Sequence, residues 1–198
     1  MKNKNTKNTK GKIVTAAWKL FYEQGYDNTT VEEIIEESGT SKGSFYHYFE
    51  GKDALLGSLS DIFDDKYEEL AAETDKNMNR FDMLMYFNRE LFEMIETGID
   101  LDLLTIMYSS QLVTKGEKHL LNSKRYYYRI LKQIILEGQS RGEIISDMSV
   151  NEILRLYTMT ERALLYDWCL YNGSYSIKAY SEQVFPILLS KIKAEKES

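Results

Sequence analysis

Proline is almost missing: Pro186 is the only one in 198 residues. Glycine is sparse as well, at 11. Little therefore interrupts helix, because these two residues carry the largest helix penalties. A single cysteine, Cys169, excludes an intrachain disulfide and the disulfide-stapled secreted domains. The two histidines, His47 and His119, lie far apart in the chain. No HExxH, glycine-rich phosphate loop or carboxylate pair accompanies them. The expectation is a protein that is not an enzyme and needs no metal or cofactor. No run approaches the roughly 18 apolar residues of a membrane span. The lysine-rich start lacks the apolar stretch of a secretory signal. The expected location is the cytoplasm, with no membrane partner.

What is present is an uneven charge. The net charge is −6. Residues 1–22 nevertheless hold six lysines and no acid, and residues 1–52 hold eight lysines against seven acids, net +1. The remainder carries −7, by subtraction from −6. An acidic body repels nucleic acid, so any such binding must sit in a local patch at the amino end.

Apolar periodicity then orders the chain. Residues 1–9 show none and read as a flexible basic arm. Ile13, Ala16, Ala17, Leu20 and Phe21 recur at helical spacing over about 10–24, and Gly25 follows as a left-handed cap. Thr30 followed by Glu33 is a capping box opening a second helix with Val31, Ile34 and Ile35 as its stripe. Gly39 supplies the turn, Thr40 or Ser41 caps a third helix, and Phe45 and Phe49 face inward. Gly43, Ser44, Tyr46 and His47 fall on the opposite side. That outer face carries small, hydroxyl and imidazole groups where a merely soluble helix would carry Glu and Lys. This is a helix-turn-helix with a second helix suited to the major groove. Ser41, Gly43 and Ser44 permit close backbone approach to phosphates, and Lys42 and Lys52 add charge beside them. Tyr46 is suited to a thymine methyl or a phosphate, and His47 and Tyr48 to phosphates at the groove edge.

Residues 10–56 resemble the N-terminal domain of the TetR family of bacterial transcriptional regulators. The matching positions are Ala17, Phe21, Gly25, Tyr26, Thr29-Thr30-Val31, Ile34, Gly39, Ser41-Lys42-Gly43, Phe45-Tyr46, Tyr48-Phe49, Lys52 and Leu55. Three packing positions around the turn depart from the pattern: Ile35 and Ser38 stand where the family has Ala, and Thr40 where it has Val. The resemblance implies an all-α homodimer of nine or ten helices, usually a repressor of a palindromic operator relieved by a small ligand. It also implies phosphate contacts for Thr30, Ser41, Tyr48 and Lys52. Base-reading or adjoining roles fall to Lys42, Gly43, Ser44, Tyr46 and His47, and Thr40 is counted among the candidate DNA contacts.

The remainder, 57–198, reads as a helical ligand-binding and dimerisation domain. One helix is expected over 52–73, and others at about 80–97, 100–114, 117–141, 149–171 and 176–194, giving an all-α fold of about nine helices. The Lys115-Gly116 pair separates two of them. No strand-like alternation of useful length occurs, and Glu143 to Ile145 is too short to count as one. Abundant Tyr and Met suit an apolar or aromatic effector, with Tyr86, Met107, Tyr108, Tyr127, Glu161 and Trp168 as candidate contacts. Glu161 is placed to meet a cationic ligand or to form a structural ion pair with Arg162 or Arg125. Glu90 has the same two readings, and Cys169 reads as a small buried hydrophobe. Dimerisation is assigned to the last two long helices, through Val150, Ile153, Leu154, Tyr157 and Leu164 and through Ile177, Tyr180, Val184, Ile187, Leu188 and Ile192. Pro186 should kink or restart the last of them. An alternative is a DNA-binding regulator controlled by a protein partner, with no small effector.

Overall fold

The computed structural model describes residues 2–113 and 118–195. They form ten α-helices: α1 (Lys2–Gln24), α2 (Val31–Ser38), α3 (Lys42–Tyr48), α4 (Lys52–Leu56), α5 (Leu59–Glu73), α6 (Arg80–Gly98), α7 (Leu101–Val113), α8 (Tyr126–Ser140), α9 (Val150–Leu170) and α10 (Ile177–Leu188). Short 3-10 turns occur at His119–Leu121 and Ser190–Ile192. The fold is all-α, as the near-absence of proline and the periodicity require. The one extended pairing among the described residues is an isolated antiparallel bridge between Ile144 and Lys193.

Two compact units emerge: Met1–Asp61 with Asp102–Leu120, and Ile62–Leu101 with Leu121–Ser198. Most of α7 and the first 3-10 turn group with the amino-terminal helices.

In the first unit α1 packs on α2, α3 and α4. Ile13, Ala16, Ala17 and Phe21 are buried, as their spacing predicts. The Trp18 indole N–H donates to the Ser58 hydroxyl at 2.9 Å. Helix α1 begins at Lys2, so residues 2–9 of the expected arm are helical backbone. Apolar periodicity marks where a helix packs, not where it stops, and no proline stands in the way. The expected single helix over 52–73 is broken after Leu56. The Ser58 hydroxyl donates back to the Leu55 carbonyl at 2.5 Å, and the His119 ring fills the space beside Gly57. A break shorter than one turn leaves the apolar stripe in phase, so periodicity reads straight through it.

The second unit is built around α6, which packs on α8 and α10, while α9 packs on both of those helices. Phe87, Phe92, Leu131, Ile135, Ile153 and Phe185 fill its core. Helix α8 starts at Tyr126 rather than near 117, because the Asn122 side chain and carbonyl accept from the Lys124 and Arg125 amides and turn the chain first. The expected Lys115-Gly116 break lies outside the described residues. Pro186 sits inside α10 without restarting it, and the helix ends two residues later.

Candidate nucleic-acid interface

The turn between α2 and α3 is built as its residues dictate. Thr30 and Glu33 form a reciprocal capping box: Glu33 N–H donates to Thr30 Oγ1 at 3.2 Å, and Thr30 N–H donates to the Glu33 carboxylate at 2.7 Å. Those bonds hold the Glu33 carboxyl below the ordinary carboxylate range. Gly39 closes α2 at φ 61°, a left-handed conformation that costs glycine nothing. Ser41 caps α3, accepting from the Ser44 amide at 3.1 Å. The departures from the family pattern explain one another. Ser38 and Thr40 place their hydroxyls 2.8 Å apart, and Ser38 also donates to the Ile35 carbonyl at 3.1 Å. Two polar residues thus replace two apolar ones without an unsatisfied group. This turns Thr40 toward the protein, half-buried.

Helix α3 divides as expected. Phe45 is fully buried and Phe49 nearly so, their rings 5.9 Å apart. Tyr46 is 49% exposed, and His47, Lys42, Gly43 and Ser41 are exposed beside it. A side chain at Gly43 would meet only Ser41 Oγ at 4.0 Å, so the surface is open there. Ser44 and Tyr48 are intermediate. The Lys42 ammonium lies 3.1 Å from Glu32 and 6.0 Å from the centre of the Tyr46 ring. The hydrogen bond between them lowers the Glu32 carboxyl and raises the Lys42 ammonium.

Lys52, expected at phosphate, is engaged within the protein. Its ammonium donates to the carbonyls of Tyr26, Asp27 and Thr29 at 2.7, 3.3 and 3.0 Å and stands 4.3 Å from the Tyr26 ring centre. It staples the loop before α2. Lys10 lies over the Phe49 ring at 5.9 Å, and Lys12 is exposed. The side chains of Lys2, Lys4 and Lys7 lie outside the described residues.

The candidate effector contacts are divided between the two units. Met107 and Tyr108 are buried on α7 in the first unit. In the second, Trp168 donates to the Tyr175 carbonyl at 2.8 Å, and Tyr86 lines a groove between α6 and α10. Tyr127 and Glu161 do come together. Glu161, 3% exposed, accepts from Tyr67 at 3.0 Å, from the Asn88 amide at 3.1 Å and from Tyr127. Burial pushes its carboxyl up and pushes the hydroxyls of Tyr67, Tyr127 and Tyr157 well up. Neither expected ion pair forms. Arg125 pairs with Asp64 at 2.9 Å, and Arg162 reaches the Tyr128 hydroxyl at 3.4 Å. Tyr67 and Asn88 escape a reading of the sequence, because partners 94 and 73 residues away leave no local signal. Glu90 is ion-paired, to Arg89 at 2.7 Å, and Cys169 is buried.

The interface expected on α9 and α10 is also redistributed. Ile153, Tyr157, Leu164, Ile177 and Ile192 are buried inside their own unit. On α9 a different set is exposed, Met159, Ala163, Tyr166 and Leu170, whereas on α10 Tyr180, Ile187 and Leu188 of the expected stripe are exposed. A helix with two apolar faces shows the same period for both, so spacing alone does not say which one packs inward.

Residues 13–59 match the family model of bacterial regulatory proteins, tetR family, and residues 58–191 match that of the YsiA-like protein, C-terminal region. A helix-turn-helix-type transcriptional regulator in the lacX 3′ region of Lactococcus lactis subsp. lactis is 48% identical over 48 residues, 24% of this chain and 24% of that protein. That match spans about a quarter of the relative. The fatty acid metabolism regulator protein of Bacillus subtilis (strain 168) is 24% identical over 184 residues, 91% of this chain and 93% of that one. Among solved structures, Thermus thermophilus FadR, a repressor in complex with lauroyl-CoA, has a TM-score of 0.71 at 21% identity, covering 94% of this chain and 96% of that one. At that identity the likeness shows the fold.

Proposed function

Because the chain belongs to the TetR family of bacterial regulatory proteins, which are DNA-binding transcriptional regulators and not enzymes, we propose that it is a ligand-responsive homodimeric repressor. Each subunit lays α3 in the major groove of one half of a palindromic operator. The observation that carries this reading is the outer face of α3. Tyr46, His47 and Lys42 are exposed there over a core made by Phe45. Thr30, Ser41, Gly43, Ser44 and Tyr48 frame them at the phosphate edge. Lys52 acts one step removed, by holding the 26–29 loop.

The dimer forms through the exposed stripes of α9 and α10, which together supply a four-helix interface across a two-fold axis. Its two reading helices then stand about 34–36 Å apart, one helical turn of DNA. The effector is a small molecule with an apolar or aromatic body. The acyl-CoA bound by the T. thermophilus relative supports an elongated apolar portion. The effector needs only a differential affinity for two arrangements, about 1–3 kcal/mol of coupling.

Selection of binding sites from genomic DNA by the purified protein tests the reading. The expected product is an inverted repeat, with half-site centres about 10 bp apart. Recovery of unrelated sequences contradicts it. Release from that operator by a protein but by no small molecule would instead favour a protein-controlled regulator.

A further inference from the structure

Glu161 stands out among the buried charges. Arg80 is matched by Glu137 at 2.7 Å and Arg125 by Asp64 at 2.9 Å. Glu161, on α9, takes part in no ion pair among the described residues and is held only by neutral donors. A buried carboxylate without a counter-charge is costly, several kcal/mol in order of magnitude. Its surroundings are aromatic: the Tyr67 ring lies 4.9 Å from that of Tyr127 and 5.6 Å from that of Phe87, centre to centre.

A groove lies beside this cluster. A groove of about 310 Å³ between α6 and α10 has apolar walls from Met85, Tyr86 and Phe185, and Asn88 contributes to its lining. The same Asn88 amide donates to Glu161 at 3.1 Å. Asn88, itself almost fully buried, is thus shared between the groove lining and the buried carboxylate. The groove also carries Asp82 and Glu182, and its one arginine, Arg89, is already drawn to Glu90 at 2.7 Å and to Glu182 at 3.8 Å.

We propose that Glu161 is the anchor of the effector site and that the effector is an organic cation, a protonated amine joined to an apolar body. The body lies in the α6–α10 groove. The nitrogen displaces the Asn88 amide, donates to the Glu161 carboxylate and meets the tyrosine rings. Coulomb attraction is strong in this low-dielectric setting, and ring faces favour a cation. An anion is repelled by Glu161, Asp82 and Glu182. A bare alkyl chain pushed between Glu161 and its donors leaves buried polar groups unpaired. The inference rests on the reading of the second unit as effector-binding.

The test is calorimetry on the full-length protein with decylamine, decanol and decanoyl-CoA, each below its micelle concentration. Decylamine should bind at least ten-fold more tightly than the other two. Glu161→Gln, which keeps the shape and removes the charge, should abolish that advantage. Equal affinity of Glu161→Gln and wild type for decylamine overturns the proposal. So does wild-type preference for decanol or decanoyl-CoA, a comparison that stands even if the variant fails to fold. Operator binding by the unliganded wild type is measured in parallel. Its absence sinks the regulator reading, whereas operator binding without amine preference sinks only the cation.

Discussion

The two units handle polar groups in opposite ways. In the first, the capping side chains lie at the surface and bond within a few residues of themselves, as Thr30 does with Glu33 and Ser41 with Ser44. In the second, the conspicuous polar group is buried, and Tyr67, Asn88 and Tyr127 reach it from 94, 73 and 34 residues away. Local capping bonds leave the outer face of a short helix open, whereas a buried acid draws its donors from several helices at once.

The contrast predicts different costs for breaking each. Phe45→Ala should have the largest effect, about 3–5 kcal/mol of stability lost from the recognition helix core, read by urea denaturation. Removing the Tyr127 hydroxyl with Phe leaves a buried carboxylate one donor short. That should cost about 1–3 kcal/mol on the same assay. If Tyr127→Phe proves neutral, the second unit is not governed by its buried cluster.

Glu161 makes a pH prediction of definite sign. Its folded-state carboxyl titrates above the ordinary 4.5. Between 4.5 and that raised value the folded state holds a proton that the unfolded state has lost, so stability falls as pH rises. Its favourable contribution is complete below 4.5 and is lost as pH climbs through the folded value. Glu161→Gln should therefore gain on wild type as pH is raised from 4 toward 7 in thermal melts. The gain is about 1.4 kcal/mol for each pH unit that separates the folded and unfolded titration points. A pH-independent difference contradicts the raised carboxyl.

These differences also explain what is legible in the sequence. Gly25, Thr30, Gly39 and Ser41 act through the backbone within a few residues, and capping and turn chemistry announce them in order. The inward Phe45 and outward Tyr46 follow from helical spacing alone. The role of Lys52 is hidden because its three carbonyl partners lie in a loop more than 20 residues earlier. The Glu161 cluster is half visible: the acid among apolar neighbours can be read, its donors cannot. The interface stripe fails on α9 because Tyr157 and Tyr166 both belong to apolar stripes, and only packing assigns the first inward and the second outward.

Two lysines sharpen the comparison at smaller scale. Lys42→Ala should leave the unfolding midpoint unchanged and weaken operator and random DNA alike, reducing the salt slope by roughly 1 per subunit. Lys52→Ala should lower the midpoint, by about 1–2 kcal/mol, through the loop it holds. If the two variants behave identically, Lys52 is a phosphate contact after all.

The most direct test compares wild type with Tyr46→Ala in fluorescence-anisotropy titrations of the selected operator and of a scrambled duplex at one salt concentration. Tyr46→Ala should lose about 1–3 kcal/mol per lost base contact on the operator and almost nothing on the scrambled duplex. An unchanged ratio between the two duplexes would contradict the placement of this face of α3 in the groove.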